Sequence, residues 1–98
     1  MGKPVVTSVE LTIPADREQE LLDGYREMIQ GPTPVGFVRS ELLHGFDGAW
    51  RIQTTWQDWE ALMALRQSGE PPAALALLER LGAEHSHSAF TVEQSFEP

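Results

Sequence analysis

The chain contains no cysteine. Disulfides, thiolate catalysis and cysteine-held zinc or iron–sulfur groups are therefore excluded. Positive charge is scarce as well: 7 Lys and Arg stand against 15 Asp and Glu, a formal net charge of −8. Phosphate backbones repel such a surface, and no Lys/Arg cluster offsets it, so neither nucleic acid nor an anionic membrane is an expected partner. No apolar run approaches the ~20 residues that cross a bilayer. The start, Met1-Gly2-Lys3-Pro4, lacks the apolar segment of a secretory signal. Val6 stands where a myristoylation signal needs Ser or Thr. A cytoplasmic protein is the expectation. Repeats, linkers and low-complexity tracts are also missing, and 98 residues fit one domain, 1–98, with a single core.

What the chain does have is clear periodicity. Val5–Ile13 alternates, with Val5, Thr7, Val9, Leu11 and Ile13 on one face, the pattern of a half-buried strand. Pro14-Ala15 breaks it. Asp16 with Gln19 three residues on reads as a capping box, and a helix runs to about Gln30 on a stripe of Leu21, Leu22, Tyr25, Met28 and Ile29. Gly31-Pro32 ends that helix, and Gly36 opens a second strand with Val38, Ser40 and Leu42 on one face. Asp47-Gly48 is a two-residue hairpin signal. The third strand, Trp50–Trp56, puts Trp50, Ile52, Thr54 and Trp56 together. Asp58 caps a short helix through about Gln67, and 68–71 is a loop. Pro72 suits the first turn of an apolar, buried helix over Ala73–Leu81, stopped by Gly82. The last strand, His87–Phe96, carries Ser88, Phe90 and Val92 on one face and Ala89, Thr91 and Glu93 on the other.

The order β-α-β-β-α(α)-β predicts an α+β fold: a four-stranded antiparallel, ferredoxin-like sheet with helices on one face. The other sheet face, with Glu10, Arg39, Glu41, Arg51, Gln53, Thr91 and Glu93, is either wet or packed on a second copy. Facing the helices are Val9, Leu11, Val38, Leu42, Trp50, Ile52, Thr54, Trp56, Phe90 and Val92, with Ser40 and Tyr25 adding hydroxyls. Such a lining either fills as core or binds a flat hydrophobic ligand. It offers no competent base at neutral pH. His44 reads as an exposed turn residue. His85 and His87 share a face opposite Phe90. That spacing either chelates zinc or copper, with Glu93, Glu10 or a partner's residue as third ligand, or is a solvated strand end. The acids Glu18, Glu20, Asp23 and Glu27 fall on the outer helix face.

Gly36-Phe37-Val38, the hairpin, and then Thr55-Trp56-Gln57-Asp58-Trp59-Glu60-Ala61-Leu62 resemble the antibiotic biosynthesis monooxygenase superfamily. The resemblance runs from Val5 to Phe96. It implies a homodimeric α+β barrel, in which the open sheet faces of two subunits pack together, and a ligand cavity between sheet and helices in each. It implies a cofactor-free monooxygenase that oxidises an aromatic polyketide or quinol with O₂. The alternative is a non-oxidative cyclase-like enzyme or a dimeric carrier of hydrophobic ligands. Trp56 matches the pocket tryptophan of the anthrone oxygenases and is the candidate catalytic residue. Ile52 and Val9 stand where that branch has asparagines, and Leu62 where one branch has a tyrosine. Leu65 and Leu75 stand at the helix positions of the haem-degrading branch's Trp and His. The candidate ligand contacts are Val9, Leu11, Tyr25, Val38, Ser40, Trp50, Ile52, Thr54, Leu62 and Phe90, with no metal and no cofactor expected.

Overall fold

A computed structural model describes residues 2–69 and 72–98. Met1 and the second half of the loop expected at 68–71, Glu70 and Pro71, lie outside the described residues. The elements are β1 (Val5–Thr12), a 3-10 turn (Ala15–Arg17), α1 (Glu18–Met28), β2 (Phe37–His44), β3 (Trp50–Trp56), α2 (Trp59–Gln67), α3 (Ala73–Leu81) and β4 (Glu84–Thr91). The strands form one sheet in the order β2-β3-β1-β4, and every pairing is antiparallel. This is the ferredoxin-like arrangement the element order predicts.

Local chemistry explains most boundaries. Asp58 caps α2 as expected: its Oδ1 accepts from the Ala61 N–H at 2.9 Å. Gly82 ends α3 in the left-handed region at φ 67°, which only glycine enters without strain. Asp16 does not cap α1. The 3-10 turn intervenes, the helix starts at Glu18 with no side-chain cap, and Gln19 donates to Asp23 instead. The hairpin loop is longer than two residues. Gly45–Ala49 lies between His44 and Trp50, with Gly48 at φ 91° and Asp47 accepting from the Ala49 N–H.

Two strands depart from their expected faces. In β2 the pairing with β3 slips between Phe37 and Arg39. Val38 is the extra residue of a β-bulge, so Phe37 takes the helix-facing position opposite Trp56, and Val38 is turned outward, 51% exposed. In β4 the whole phase is inverted. Val9 pairs with His87 and Val6 with Phe90. Since Val9 is core, His85, His87, Ala89 and Thr91 face the helices, and Ser86, Ser88 and Phe90 face the other way. Phe90 is 56% exposed there. The open sheet face thus carries Phe90, Val38 and Leu43 among Glu10, Arg39, Glu41 and Arg51.

The buried hydrophobic residues fall into two clusters. One gathers Val9, Leu11, Leu21, Trp50, Ile52, Leu77, Leu78 and Leu81. The other is smaller: Val5, Trp56 and Leu62, with Phe37, Met63 and Leu65 against it. Gly24 lets α1 approach α3, since a Cβ there would lie 2.5 Å from Leu77 Cδ1.

Candidate functional site

The gap between the two clusters is a cavity of about 440 Å³. Its origin is legible in the strand register. Ser40 pairs with Thr54, Thr54 with Thr7, and Thr7 with Ala89. A row of small side chains therefore crosses the whole sheet on its helix side. The rows beside it are larger: Leu42, Ile52, Val9 and His87 on one side, and Phe37, Trp56, Val5 and Thr91 on the other. The helices rest on the tall rows and leave the low row uncovered.

Its deep surface is apolar, with Val9, Ile52, Trp56 and Leu62 all buried. The hydroxyls of the low row are ordered. Tyr25 donates to Ser40 Oγ at 2.9 Å, and Thr54 Oγ1 approaches the same oxygen at 3.5 Å. The Trp56 indole N–H donates to Thr7 Oγ1 at 3.1 Å, and Thr7 in turn reaches the Thr54 carbonyl at 3.4 Å. Phe37 meets Trp56 edge-on, with centroids 5.8 Å apart. The rim is exposed and comes from Gly31–Pro34, Arg66, Pro72, Ala73 and His87.

Trp56, Val9, Tyr25, Ser40, Ile52, Thr54 and Leu62 therefore stand around one space. Four other expected contacts do not. Leu11 and Trp50 face the helices but lie in the larger cluster, where side chains fill the interior. Val38 is carried away by the bulge, and Phe90 by the inverted phase of β4; Val92, next beyond β4, is not a lining residue. Trp50 is closed off further by His44. Their rings stack at 3.8 Å, and Glu18 Oε2 accepts from the Trp50 indole at 3.0 Å while lying 3.7 Å from His44 Nε2. His44 is thus a packing residue, and Glu18 is not simply solvated.

The expectations for β4 and β2 each miss one residue of this site. The sequence makes His87 part of a solvated strand end or metal pair, whereas the fold places it in the cavity lining. Phe37 was hidden by the bulge. His85 and His87 do share a face, but neither suggested third ligand joins them. Glu10 pairs with Ser86 on the opposite face, and Glu93 is held by Lys3 at 2.5 Å. Among the described residues no three His, Cys, Asp or Glu gather as a metal site. The Lys3 ammonium, and then the Thr91 hydroxyl, hold the Glu93 carboxyl below the ordinary carboxylate range.

No protein-family model matches the chain, and no curated protein matches it. Solved structures do. SnoaB, described as a cofactor-independent oxygenase from Streptomyces nogalater, matches with a TM-score of 0.64 at 23% identity, over 99% of this chain and 100% of that one; a mutant of it matches at 26% identity. A Deinococcus radiodurans protein, provisionally named an antibiotic biosynthesis monooxygenase, matches with a TM-score of 0.72 at 14% identity, over 96% and 97% of the two chains. A mutant of MhuD with two manganese protoporphyrin IX molecules bound per active site matches with a TM-score of 0.70 at 22% identity, over 96% and 99%. The fold of this chain is the fold of the antibiotic biosynthesis monooxygenases.

Proposed function

We propose that the chain is a cofactor-independent oxygenase acting on a flat, electron-rich aromatic such as an anthrone or a quinol. The observation that carries this reading is the cavity under Trp56. Its volume of about 440 Å³ falls within the roughly 300–1,000 Å³ of small-molecule sites. Its walls combine a large indole with a deep hydrocarbon surface, which suits a planar guest and keeps water from a radical intermediate. The ordered hydroxyls of Tyr25, Ser40 and Thr54 supply hydrogen bonds to a guest's oxygens. The name of SnoaB supports the same chemistry.

In this reaction the bound aromatic first loses a proton. The resulting anion passes one electron to O₂, the radical pair recombines to a carbon-bound peroxide that takes a proton back, and for an anthrone the hydroperoxide then loses water to leave the new carbonyl. The protein's part is to bind, orient and exclude water. A second copy of the chain completes the assembly in this reading. The exposed Val38, Leu43 and Phe90 on the open sheet face give it an apolar surface, and the mixed charges of Arg39, Glu41 and Arg51 give it complementary contacts.

The test is oxygen consumption with dihydroxyanthrone and with menadiol, each compared with the uncatalysed rate. Catalysed uptake of O₂ supports the reading. Equal substrate loss with and without O₂ overturns it. One observation favours a second reading. Val9 and Ile52 make the deep wall wholly apolar, which also suits a non-oxidative cyclase or a carrier. Quenching of tryptophan fluorescence by the aromatic without any O₂ uptake selects that alternative.

A further inference from the structure

We infer that His87 is the proton acceptor of this cavity, and that the guests it serves are weak carbon or oxygen acids of the anthrone and phenol class. This rests on the cavity's being a site for aromatics, as proposed above. The geometry comes from strand pairing. His87 lies opposite Val9, in the row that continues through Ile52 to Leu42. Val9 and Ile52 form the deep wall, so the imidazole stands at the outer end of that wall, where it is accessible to a guest.

Among the described residues, the other ionisable groups at the cavity cannot take the proton. β1, β2, β3 and α3 place none there. α1 contributes Tyr25, whose hydroxyl is already engaged as a donor to Ser40. α2 contributes Arg66, a permanent cation with no acceptor. His85 faces the same way two residues earlier, but beside Leu11 and outside the cavity. An imidazole is the side chain that ordinarily exchanges protons near neutral pH. Among the described residues the His87 side chain has no hydrogen bond or ion pair, so no internal partner competes for its acceptor nitrogen.

The step is a simple transfer. The guest's acidic C–H or O–H bond breaks, its electron pair remains on the guest as an enolate or phenolate, and the proton forms an N–H bond on His87. Neutral imidazole becomes imidazolium while the guest becomes an anion. Arg66, on the same cavity and also without a partner among the described residues, adds a second positive charge that favours the anion.

The test separates proton transfer from oxidation. Without O₂, the protein is titrated with dihydroxyanthrone, whose anion absorbs at longer wavelength than its neutral form, and tryptophan quenching is read alongside. Wild type is expected to quench and to develop the anion band. His87→Gln is expected to quench with similar affinity but to lack the band until the pH is raised, whereas His85→Gln behaves as wild type. With O₂, His87→Gln is expected to lose about a hundredfold or more in rate. An anion band of equal strength in His87→Gln, or quenching by wild type with no band, overturns the assignment. An anion band without O₂ uptake leaves His87 as the acceptor and removes only the oxygenase reading. Absence of quenching removes both.

Discussion

The bond between the Trp56 indole and Thr7 ties the cavity's largest wall to its lowest row, and a double-mutant cycle measures it. Thr7→Val keeps the shape and suits a strand, but leaves the buried indole N–H without its acceptor. An orphaned buried donor costs about 1–3 kcal/mol. Trp56→Phe removes the donor together with part of the ring. Two lost carbons at ~0.8 kcal/mol each, plus about 1 kcal/mol for the bond, come to ~2.6 kcal/mol. A domain of 98 residues has roughly 5–15 kcal/mol in total, so both variants remain folded. The informative quantity is the cost of Thr7→Val once Phe occupies position 56. Thr7 then retains only its 3.4 Å contact to the Thr54 carbonyl, and the substitution becomes nearly neutral. The expected coupling is about 1–2 kcal/mol. Urea unfolding followed by far-ultraviolet circular dichroism reads all four proteins, since tryptophan fluorescence is itself altered. If Thr7→Val costs the same in both backgrounds, the indole is not held through Thr7, and the account of how the wall is fixed fails.

Three other perturbations follow from the geometry. Gly36→Ala combines φ 86° with a methyl 2.3 Å from Ala61 Cβ, so it destabilises by about 2–5 kcal/mol; chemical denaturation reads this, and Ala61→Gly as a second change relieves the steric share. Phe90→Glu adds charge to the open face along its β4 edge, so a dimer seen by sedimentation for wild type is expected to become a monomer with unchanged circular dichroism, and a persistent dimer would mean that the copies meet elsewhere. Because the Glu93 carboxyl titrates below its ordinary 4.5 in the fold, its contribution is complete above that value and disappears as pH falls through the lower folded one. The stability difference between wild type and Lys3→Met is therefore expected to vanish in acid, and to shrink with salt because both groups are exposed. A difference that grows on acidification contradicts the pairing.

Most of the fold was legible because β1, β3 and the helices bury one consistent face. Trp50, Ile52, Thr54 and Trp56 alternate without interruption, and their partners on β1 do the same. β2 and β4 are the sheet's outer strands, and their apolar residues serve two surfaces. Val38 reads as core by alternation, but the bulge spends one residue and exchanges it for Phe37. Phe90 reads as core because it is the large residue of its strand, yet the helix side there needs only Ala89 and Thr91 beside the low row. Turning Phe90 toward the helices also turns His87 away from them, so the lining expected from alternation has no imidazole. The one signal available beforehand was size: Ala89 and Thr91 match the small residues Thr7 and Ser40, whereas Phe90 would have filled the space. The cavity itself was not readable from residue types, because it depends on which small residues become neighbours across strands.

The rim of the cavity has one further consequence. Gly36 is wedged on Ala61 and its carbonyl accepts from the Gln57 N–H at 2.8 Å, so the backbone on both sides of Trp56 is pinned and that end does not swing. Traffic must use the exposed side, whose posts are Pro32, Pro34 and Pro72. Proline posts have few torsions left to surrender. Under the proposed function, such a doorway adapts little, and a guest must fit it in the shape it already has.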